Sequence, residues 1–427
     1  MADSSSRKHV VVLGGGFGGL KFIEKFRHSD VQITLVDQNN HHLFQPLLYQ
    51  VATAGLSMPS ISEPLRSIFS NRPDVTSLMA KVTSIDLDQK VVHLEKGSLN
   101  YDYLVIGLGA VTCYFGNSEW EKHSQGLKCL RDAMVIRRQM LTAFEEAENE
   151  EDPERQRELM TVIVIGGGPT GVELAGSFAE LVHRVFLRDF RRLDPKEARV
   201  ILLHSRDKVL NYFPDPLPTK AQHALEKLGV EVHLNSRVKS IEKNTVKTAD
   251  KEFRGETILW TAGVVANPIT KTMKVPQNKR GQLEVESDCS LPGHPEVFAI
   301  GDIVSLKDIN GQMVPGVAPA AMQMGKYVAE VILDEFGGSG VRRKKGFAYF
   351  DKGIMATIGR KAAVVAAGNI KIDGLIAWLM WLVIHLMFLI GFRNKVFVLM
   401  SWLYAYSRYR SGARIIVDLG RKEDDSQ

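Results

Sequence analysis

The chain contains two segments that repeat one order of elements: an apolar run, a glycine-rich turn, a helix-like stretch and a second apolar run. The first apolar run and turn cover residues 9–13 and 14–19, and the second pair covers residues 161–165 and 166–171. The apolar runs do not alternate with polar residues, which is typical of parallel strands covered on both faces. Each segment therefore predicts a strand–helix–strand unit, and the chain is predicted to be an α/β protein.

The first turn has the spacing Gly14-x-Gly16-x-x-Gly19. In such a turn the first glycine allows a sharp bend, the second lets the backbone approach a pyrophosphate, and the third lets helix and strand pack closely. The helix that follows offers free N–H groups to the phosphates. Asp37 ends the next apolar run, where an acid binds a ribose hydroxyl. This combination predicts a dinucleotide site.

The second turn repeats the spacing as Gly166-x-Gly168-x-x-Gly171 and predicts a second dinucleotide site. Two such sites favour a protein with two cofactors. A flavin between a hydride donor and a different acceptor fits, because nicotinamides give two electrons together whereas flavins pass one or two at a time. We therefore expect two Rossmann-like dinucleotide-binding domains.

The second segment departs from the rule at its acid, because its second apolar run ends in His204, Ser205 and Arg206. A Glu or Asp at this point would accept hydrogen bonds from the ribose of NADH and repel the 2′-phosphate of NADPH. His204 does neither, and Arg206 could pair with a 2′-phosphate. The sequence alone leaves the choice between NADH and NADPH open.

Composition excludes several other classes of protein. The net charge of +5 over 427 residues is mild and gives no reason to expect nucleic acid. The three cysteines, Cys113, Cys129 and Cys289, cannot form a disulfide framework and lack zinc-ribbon spacing, which fits a reducing compartment. The first apolar run is too short for a secretory signal, so export by that route is not expected.

Several motifs occur in an order that resembles the type II NADH dehydrogenases, the single-subunit NADH:quinone oxidoreductases that do not pump protons. The resemblance covers about residues 8–418 of the sequence. It rests on residues 11–19 (VVLGGGFGG), 44–53 (FQPLLYQVAT), 168–176 (GPTGVELAG), 260–263 (WTAG), 297–302 (VFAIGD), 321–325 (AMQMG) and 352–353 (KG). Chance does not produce this many long motifs in one order.

The resemblance implies that the first turn holds FAD and the second holds NADH, with NADPH as a possible alternative. Asp302 matches a family aspartate that binds the ribityl chain of the flavin. The further cofactor-binding residues implied by the resemblance are Phe17, Gly18, Val82, Gly109, Gly263 and Ala321. The neighbouring His41 and His42 have no third metal ligand at a recognisable spacing, so they are expected to line the flavin site or cap a turn, and no metal is expected.

The resemblance also implies three catalytic residues: Glu173, Lys352 and Gln323. Glu173 has two interpretations: a first-turn acid that complements the helix dipole, or a carboxylate at the contact between nicotinamide and flavin, kept ionised by pairing with Lys352. Gln323 is the second glutamine of the family's quinone motif Ala-Gln-x-Ala-x-Gln. The first glutamine is replaced by Pro319, which puts the quinone type in doubt.

The C-terminal side is unusually apolar, with no charged side chain other than His385 in residues 374–392. Arg393 and Lys395 interrupt this stretch before a second aromatic-rich segment. Three interpretations stay open: a true membrane span, a buried dimerisation helix, and a monotopic anchor, which is what the resemblance implies. The expected partners are a membrane quinone, the lipid bilayer surface and a second copy in a homodimer, with the protein on the cytoplasmic face of the inner (cell) membrane.

These expectations give a domain division. Residues 1–115 and 295–340 are expected to bind FAD, residues 116–294 to bind NAD(P)H, and residues 341–427 to form a C-terminal membrane-anchoring helical region. The charged stretch 131–160 predicts a solvated helix followed by a linker. Two rival functions remain, a sulfide:quinone oxidoreductase, which would need two cysteines facing the flavin, and a membrane protein that senses nucleotides without turnover.

Overall fold

The structure is a computed structural model that describes residues 7–408 and 413–416. It contains two compact units. The first comprises the described parts of Met1–His42, Glu63–Val111 and Val264–Lys352. The second comprises Leu43–Ser62, Thr112–Gly263 and the described part of Gly353–Gln427. Each unit is built around a mainly parallel sheet, as the two repeated segments predict.

The sheet of the first unit has six strands. Their order across the sheet is Ser290–Leu291, His294–Ala299, Tyr103–Ile106, Lys8–Leu13, Val31–Asp37 and Val75–Met79. All neighbouring pairs are parallel except the first, which is antiparallel. The central strand Lys8–Leu13 is apolar from Val10 onward and fully buried there, because helices and sheet cover both of its faces.

Two helices pack closely against each other in the first unit. The helix Phe17–Lys25 follows the first glycine turn, and the helix Ala318–Phe336 lies against it. A Cβ on Gly325 would overlap the carbonyl oxygen of Gly18, so only glycine permits this approach. The remaining elements of this unit are the strands Val82–Asp86, Val91–Leu94, Ser98–Asn100, Val264–Ala266, Leu283–Glu284 and Val304–Ser305, and the helices Leu65–Ile68, Pro268–Thr272, Gly301–Ile303 and Val341–Lys345. Three short strands, His41–Leu43, Ser62–Pro64 and Ala110–Thr112, span the sequence boundaries of the units.

The sheet of the second unit has five parallel strands. Their order is Gln125–Gly126, Thr257–Trp260, Thr161–Ile165, Arg199–Leu203 and Val230–His233. The helix Pro169–Glu180 follows the second glycine turn. The remaining strands of this unit are Ser240–Glu242, Thr245–Lys247, Glu252–Arg254, Ile354–Thr357, Ala363–Ala367 and Ile370–Asp373. Its other helices are Gln45–Leu47, Leu48–Ala52, Met58–Ser60, Ser118–His123, Leu130–Asn149, Pro153–Leu159, Leu181–Val185, Phe186–Arg188, Pro195–Glu197, Leu217–Lys227, Gly374–Phe388 and Phe392–Arg408.

The charged stretch 131–160 differs from its prediction in two ways. The helix Leu130–Asn149 is amphipathic and buries one face, including Ile136, Met140 and Phe144. A second helix, Pro153–Leu159, replaces the predicted linker, because Asp152 caps its first turn by accepting from the N–H of Glu154. The high charge density masked the apolar stripe at helical spacing.

The compact units also differ from the predicted domain boundaries. Residues 264–294 belong to the first unit, because the strand Ser290–Leu291 pairs with His294–Ala299 at the edge of its sheet. Residues 43–62 belong to the second unit. Residues 341–352 of the predicted C-terminal region belong to the first unit. The helix Gly374–Phe388 packs on the strand Ala363–Ala367, and the described residues from Gly353 onward belong to the second unit. Residues 409–412 and 417–427 of the predicted C-terminal region lie outside the described residues.

The two C-terminal helices are short. Gly374–Phe388 has 15 residues and Phe392–Arg408 has 17. Within residues 7–408 and 413–416, no helix combines the length and the apolar character needed to cross a bilayer.

Candidate functional site

The first glycine turn has the backbone geometry that a pyrophosphate requires. Gly14 has a φ of +102°, which side chains other than hydrogen rarely allow. A Cβ on Gly19 would overlap the carbonyl oxygen of Gly14, so the helix can follow the strand this closely only with glycine. Gly16 has open space where a Cβ would stand. The turn therefore leaves its backbone accessible to a ligand at Gly16.

Two side chains hold Gly15 from opposite sides. Its N–H donates to Oδ2 of Asp37 at 2.7 Å, and its carbonyl oxygen accepts from Nδ1 of His42 at 2.9 Å. His42 is 1% exposed, and burial lowers its pKa to about 4, so the ring is neutral with the proton on Nδ1. Nε2 is buried and has no hydrogen-bond partner among the described residues. An unpaired acceptor beside the turn fits a ligand that donates hydrogen bonds, such as a dinucleotide with ribose hydroxyls.

Asp37 accepts a second main-chain hydrogen bond, from the N–H of Asn39 to Oδ1 at 2.7 Å. Burial raises the pKa of this carboxyl, and the hydrogen bonds from the N–H groups of Asn39 and Gly15 oppose that effect. The predicted ribose-binding acid is thus fixed in place by two N–H groups, that of Gly15 in the turn and that of Asn39 just after the strand.

The predicted residues Gly18 and Ala321 lie together with Gly301, the residue before the predicted Asp302, in the first unit. A Cβ on Gly18 would stand 3.2 Å from the carbonyl oxygen of Ala321, and one on Gly301 would stand 3.3 Å from the Cβ of Ala321. Asp302 follows Gly301 in the sequence. A Cβ on Gly316 would stand 3.4 Å from Oδ1 of Asp302. The segment that carries Asp302 therefore lies at the N-terminal ends of the two packed helices that flank the glycine turn.

The other predicted residues of the first unit are more dispersed. Phe17 begins the helix after the turn, and its ring meets that of His42 edge to face at 5.0 Å. Gly109 has a φ of +66°, and its carbonyl oxygen accepts from the N–H of Asn267 at 3.1 Å. Val82 begins a strand of the small antiparallel sheet. The cofactor roles of Val82 and Gly109 stay predictions.

The second glycine turn repeats the geometry of the first. Gly166 has a φ of +117°, and a Cβ on Gly171 would overlap the carbonyl oxygen of Gly166. Gly168 has open space where a Cβ would stand. Thr261 closes the base of the turn, because its Oγ1 donates to the carbonyl oxygens of Ile165 and Gly166 at 2.9 and 3.0 Å. The residues present fit a second dinucleotide.

His204 takes the position in the second unit that Asp37 takes in the first. The N–H of Gly167 donates to Nδ1 of His204 at 3.0 Å, as the N–H of Gly15 donates to Asp37. Because Nδ1 accepts this hydrogen bond, the proton of the neutral ring lies on Nε2. Nε2 is buried. Burial, and then the charge of Arg206, lower the pKa of His204, and a hydrogen bond between the ring and the backbone of Lys208 opposes both effects.

Glu173 is the fifth residue of the helix Pro169–Glu180 and is half-buried. The first turn of this helix contains no acidic residue, so the interpretation of Glu173 as a first-turn acid is wrong. Burial of its carboxyl raises its pKa to about 8, and a smaller opposing effect comes from a hydrogen bond with the backbone of Thr357. The raised pKa favours a protonated carboxyl, because loss of water disfavours the charged form. The ionised state expected from pairing with a lysine is therefore not favoured. Lys352 belongs to the first unit, and its pairing with Glu173 stays a prediction.

Gln323 lies near the start of the helix Ala318–Phe336 and binds backbone. Its Nε2 donates to the carbonyl oxygen of Phe350 at 3.0 Å, and its Oε1 accepts from the N–H of Phe350 at 2.9 Å. This pair fixes the segment two residues before Lys352. Pro319 stands in the first turn of the same helix, where a missing N–H costs no helical hydrogen bond. Gln323 therefore has a positioning role in addition to the quinone contact predicted for it.

The motif 44–53 packs on the C-terminal helices within the second unit. The rings of Tyr49 and Trp381 lie 6.4 Å apart, and Trp381 stacks on His385 at 4.0 Å. Thr53 shares a hydrogen bond of 2.8 Å with Ser177 on the helix that carries Glu173. The motif thus joins the apolar tail to the second glycine-turn helix, a connection that spacing along the sequence does not reveal.

Both C-terminal helices bury one face and expose another. The buried side chains are Ala377, Trp378, Trp381, Val398, Trp402 and Ala405. The exposed apolar side chains are Leu375, Ile376, Leu379, Val383, Met387, Phe388, Phe392, Val396, Phe397, Leu399, Met400, Leu403 and Tyr404. We call the second set the apolar tail surface. Thirteen exposed apolar side chains on two consecutive helices are typical of a protein or membrane interaction site.

Sequence reasoning missed Phe115. Its backbone has a φ of +52°, rare for a bulky residue, and its ring is 63% exposed. A Cβ on the predicted residue Gly263 would stand 2.9 Å from the tip of this ring, and the N–H of Cys113 donates to the carbonyl oxygen of Gly263 at 3.0 Å. The dipeptide Phe115-Gly116 signals a turn, but only the fold brings that turn to Gly263.

Comparison with known proteins gives consistent matches. The family model of the pyridine nucleotide-disulphide oxidoreductases matches residues 8–325. The chain is 40% identical over 430 residues to the type II NADH:quinone oxidoreductase Ndh of Mycobacterium tuberculosis, covering 98% of this chain and 92% of that protein. It is 38% identical over 411 residues to NdhA, another type II NADH:quinone oxidoreductase of that organism, covering 93% of this chain and 86% of that protein.

Solved structures share the fold. NDH2 from Plasmodium falciparum, solved in complex with NADH, matches with a TM-score of 0.89 at 18% identity, covering 96% of this chain and 100% of that one. The sulfide:quinone oxidoreductase of Aquifex aeolicus matches with a TM-score of 0.71 at 19% identity, covering 91% of this chain and 92% of that one. At these identities the likeness concerns the fold.

Proposed function

We propose that this chain, which belongs to the pyridine nucleotide-disulphide oxidoreductases and among them to the type II NADH:quinone oxidoreductases, oxidises NADH and passes the electrons through FAD to a quinone. The observation that carries the proposal is the pair of equivalent glycine turns, one in each unit, with an acid beside the first and a neutral histidine beside the second. Two dinucleotide sites in one chain suit a hydride donor and a flavin.

The first unit would hold FAD. The N–H groups after Gly16 would face the pyrophosphate, Asp37 would accept from an adenosine ribose hydroxyl, and Asp302 would accept from the ribityl chain. FAD supplies the redox chemistry when it is bound, because it takes up a hydride and releases electrons singly or in pairs. The chain itself binds and orients the reactants.

Glu173 would supply a proton for quinol formation. A carboxyl whose pKa is about 8 is mostly protonated at neutral pH, so it can donate. The structural basis is burial at the start of the helix after the second glycine turn. Lys352 would steady the charge that Glu173 acquires once its proton has left.

The apolar tail surface would bind the bilayer without crossing it. Its aromatic side chains, with Arg393 and Lys395 in the first turn of the second helix, suit the headgroup region of an anionic membrane. The proposal extends to a homodimer on the cytoplasmic face of the cell membrane and to electron transfer without proton pumping. Light scattering in detergent tests the dimer, and a pH-sensitive dye inside proteoliposomes tests the absence of pumping.

Anaerobic titration of the purified protein with NADH tests the central proposal. The flavin absorbance near 450 nm, a general property of oxidised flavins, should bleach with about one equivalent of NADH and return when a soluble quinone is added. A chain that binds NADH without bleaching would instead be a nucleotide sensor. A chain that bleaches but does not recover with quinone would pass its electrons to another acceptor.

The rival sulfide:quinone oxidoreductase needs reactive cysteines. Burial raises the pKa of the Cys129 thiol, and burial raises that of Cys289 still further, so neither favours the thiolate that attacks sulfur. Replacing Cys113, Cys129 and Cys289 together by serine should leave NADH oxidation with quinone unchanged. If sulfide reduced the flavin of the parent protein but not that of the triple serine variant, the result would support a sulfide:quinone oxidoreductase.

A further inference from the structure

The turn of a β-hairpin in the second unit binds the carboxyl of Glu173. The backbone of Thr357, the last residue of the strand Ile354–Thr357, forms a hydrogen bond with this carboxyl. The hydroxyl of Thr357 donates to the carbonyl oxygens of Gly359 and Ala362 at 3.0 and 3.2 Å, which closes the turn. Because the turn is closed in this way, a displacement of any of its residues also displaces the group that binds Glu173.

The helix that carries Glu173 binds the same turn a second time. Glu180 lies two turns further along this helix and therefore on the same face as Glu173. Its Oε1 accepts from the N–H of Arg360 at 2.6 Å, and its Oε2 lies 3.4 Å from Nε of the same residue. Between the two acids, a Cβ on Gly176 would stand 2.8 Å from the nitrogen of Gly359, so this close approach requires glycine.

The pair formed by Glu180 and Arg360 is largely shielded from water. The two side chains are 10% and 16% exposed. Burial raises the pKa of Glu180, and the charge of Arg360 opposes that effect. Removing one member of such a pair leaves the other charge buried without compensation, which is costly. The pair therefore holds the turn against the helix.

Arg360 also binds the last helix of the second unit. Its Nη1 donates to the carbonyl oxygen of Ala405 at 2.9 Å. Ala405 lies in the last turn of the helix Phe392–Arg408, where carbonyl oxygens have no partner within the helix and the helix dipole favours a cation. Leu403 and Tyr404, which precede it, belong to the apolar tail surface. One guanidinium thus joins the helix of the apolar tail surface to the turn of the hairpin.

We propose that Arg360 is a positioning residue for Glu173: it holds the turn 357–362 between the last helix and the helix Pro169–Glu180, so that the backbone of Thr357 meets the carboxyl. This inference rests on the proposed function, in which Glu173 donates a proton to the quinone. Arg360 itself transfers neither a proton nor an electron. It links the helix that would bind the membrane to the carboxyl that would serve the quinone.

Stopped-flow measurement on the holoenzyme with NADH and a water-soluble quinone tests this role. Arg360→Met keeps the length of the side chain without its charge and donors, so flavin reduction should stay within about twofold of the parent while reoxidation slows about tenfold. Arg360→Lys keeps the charge beside Glu180 without the planar fork and should slow reoxidation about threefold. Arg199→Met is the matched control, because it removes two hydrogen bonds of 2.7 Å to Glu231 in the same unit and should react as the parent does.

A double variant separates an effect that acts through Glu173 from general damage to the fold. In the Glu173→Gln protein the proton donor is already absent, so adding Arg360→Met should slow reoxidation by no more than about twofold further. A slowing of about tenfold by Arg360→Met in both backgrounds would overturn the inference, because the two effects would then be independent. Reoxidation of Arg360→Met at the parent rate, or equal slowing in Arg199→Met, would also overturn it.

Hydrogen exchange of the amides of residues 354–362 needs no turnover and separates this inference from the proposed function. Exchange should be at least about tenfold faster in Arg360→Met than in the parent, and unchanged in Arg199→Met. Unchanged exchange in Arg360→Met overturns the inference and leaves the proposed function standing. If quinone does not reoxidise the reduced flavin of the parent while exchange is faster in Arg360→Met, the proposed function fails and the hold of Arg360 on the turn stands.

Discussion

Trp402 donates its indole N–H to the side-chain oxygen of Gln50 at 2.8 Å, and both side chains are buried. The amide of Gln50 in turn donates to the hydroxyl of Tyr49 at 2.9 Å. This short chain of hydrogen bonds joins the last helix to the motif 44–53. The C-terminal region is therefore part of the second unit's interior on one face while its other face is apolar and exposed.

Removal of one partner should destabilise the protein. Trp402→Phe leaves the oxygen of Gln50 buried without its donor, which should lower the free energy of unfolding by about 1–3 kcal/mol. Urea unfolding of the holoprotein measures this. The double variant Gln50→Leu/Trp402→Phe should lose less than the sum of the two single variants, and strict additivity would show that the two side chains do not depend on each other.

Outward-facing charges should release the protein from membranes. Met387 is 68% exposed and Leu379 is 49% exposed on the apolar tail surface. Met387→Glu and Leu379→Glu should each weaken binding to anionic phospholipid vesicles by roughly tenfold or more, since each removes a buried apolar contact and adds a repelled charge. Ile309→Glu, at a residue 54% exposed in the first unit, is the matched control and should bind as the parent does. If all three variants lost the same fraction of vesicle binding, the membrane-binding surface would not be the apolar tail surface.

Retention of FAD should depend on Asp37 and Asp302. Loss of a hydrogen bond to a charged group costs about 1.5–3 kcal/mol, so Asp302→Ala should weaken FAD binding roughly 10- to 150-fold. Asp37→Asn keeps an acceptor for the N–H of Gly15 and should lose less than Asp37→Ala. Fluorescence of released flavin on dilution measures both. Asp88→Ala, at an exposed turn of the same unit, is the control, and a full complement of tightly bound FAD in Asp302→Ala would rule out the role of that residue.

Glu173→Gln should impair turnover more than folding, and its effect should depend on pH. The folded chain holds the proton of Glu173 up to about pH 8, whereas the ordinary value is 4.5. The free energy of unfolding of the parent therefore decreases as pH rises from 4.5 to about 8. The glutamine side chain of the variant does not titrate, so the variant does not lose this stability. The thermal midpoint of Glu173→Gln should exceed that of the parent at pH 8 and match it at pH 5. Glu226→Gln, at an exposed helix position, should show no such difference.

The kinetics of the same variant separate the two roles of Glu173. Stopped-flow measurement should show slow reoxidation by quinone with flavin reduction by NADH little changed, because the amide cannot donate a proton. Parent rates in both half-reactions would show that Glu173 takes no part in proton transfer.

Much of the fold follows from local spacing. Gly14, Gly16 and Gly19 specify the first turn, because its backbone needs a positive φ, an open approach for a ligand and close packing of helix on strand at these positions. The equivalent glycines specify the second turn in the same way. Unbroken apolar runs specify buried parallel strands because both faces of such strands are covered. These features depend on residues a few positions apart, so the sequence alone is enough to predict them.

Only the tertiary structure decided the protonation and the partners of the functional side chains. The proton position of His204 depends on the N–H of Gly167, the pKa of Glu173 depends on burial beside Thr357, and the amide of Gln323 is engaged by the backbone of Phe350. The buried face of the tail depends on residues 44–53, more than 300 positions earlier in the chain. Hydrogen bonding and desolvation are set by distance in space, and composition and spacing along a chain do not specify that distance.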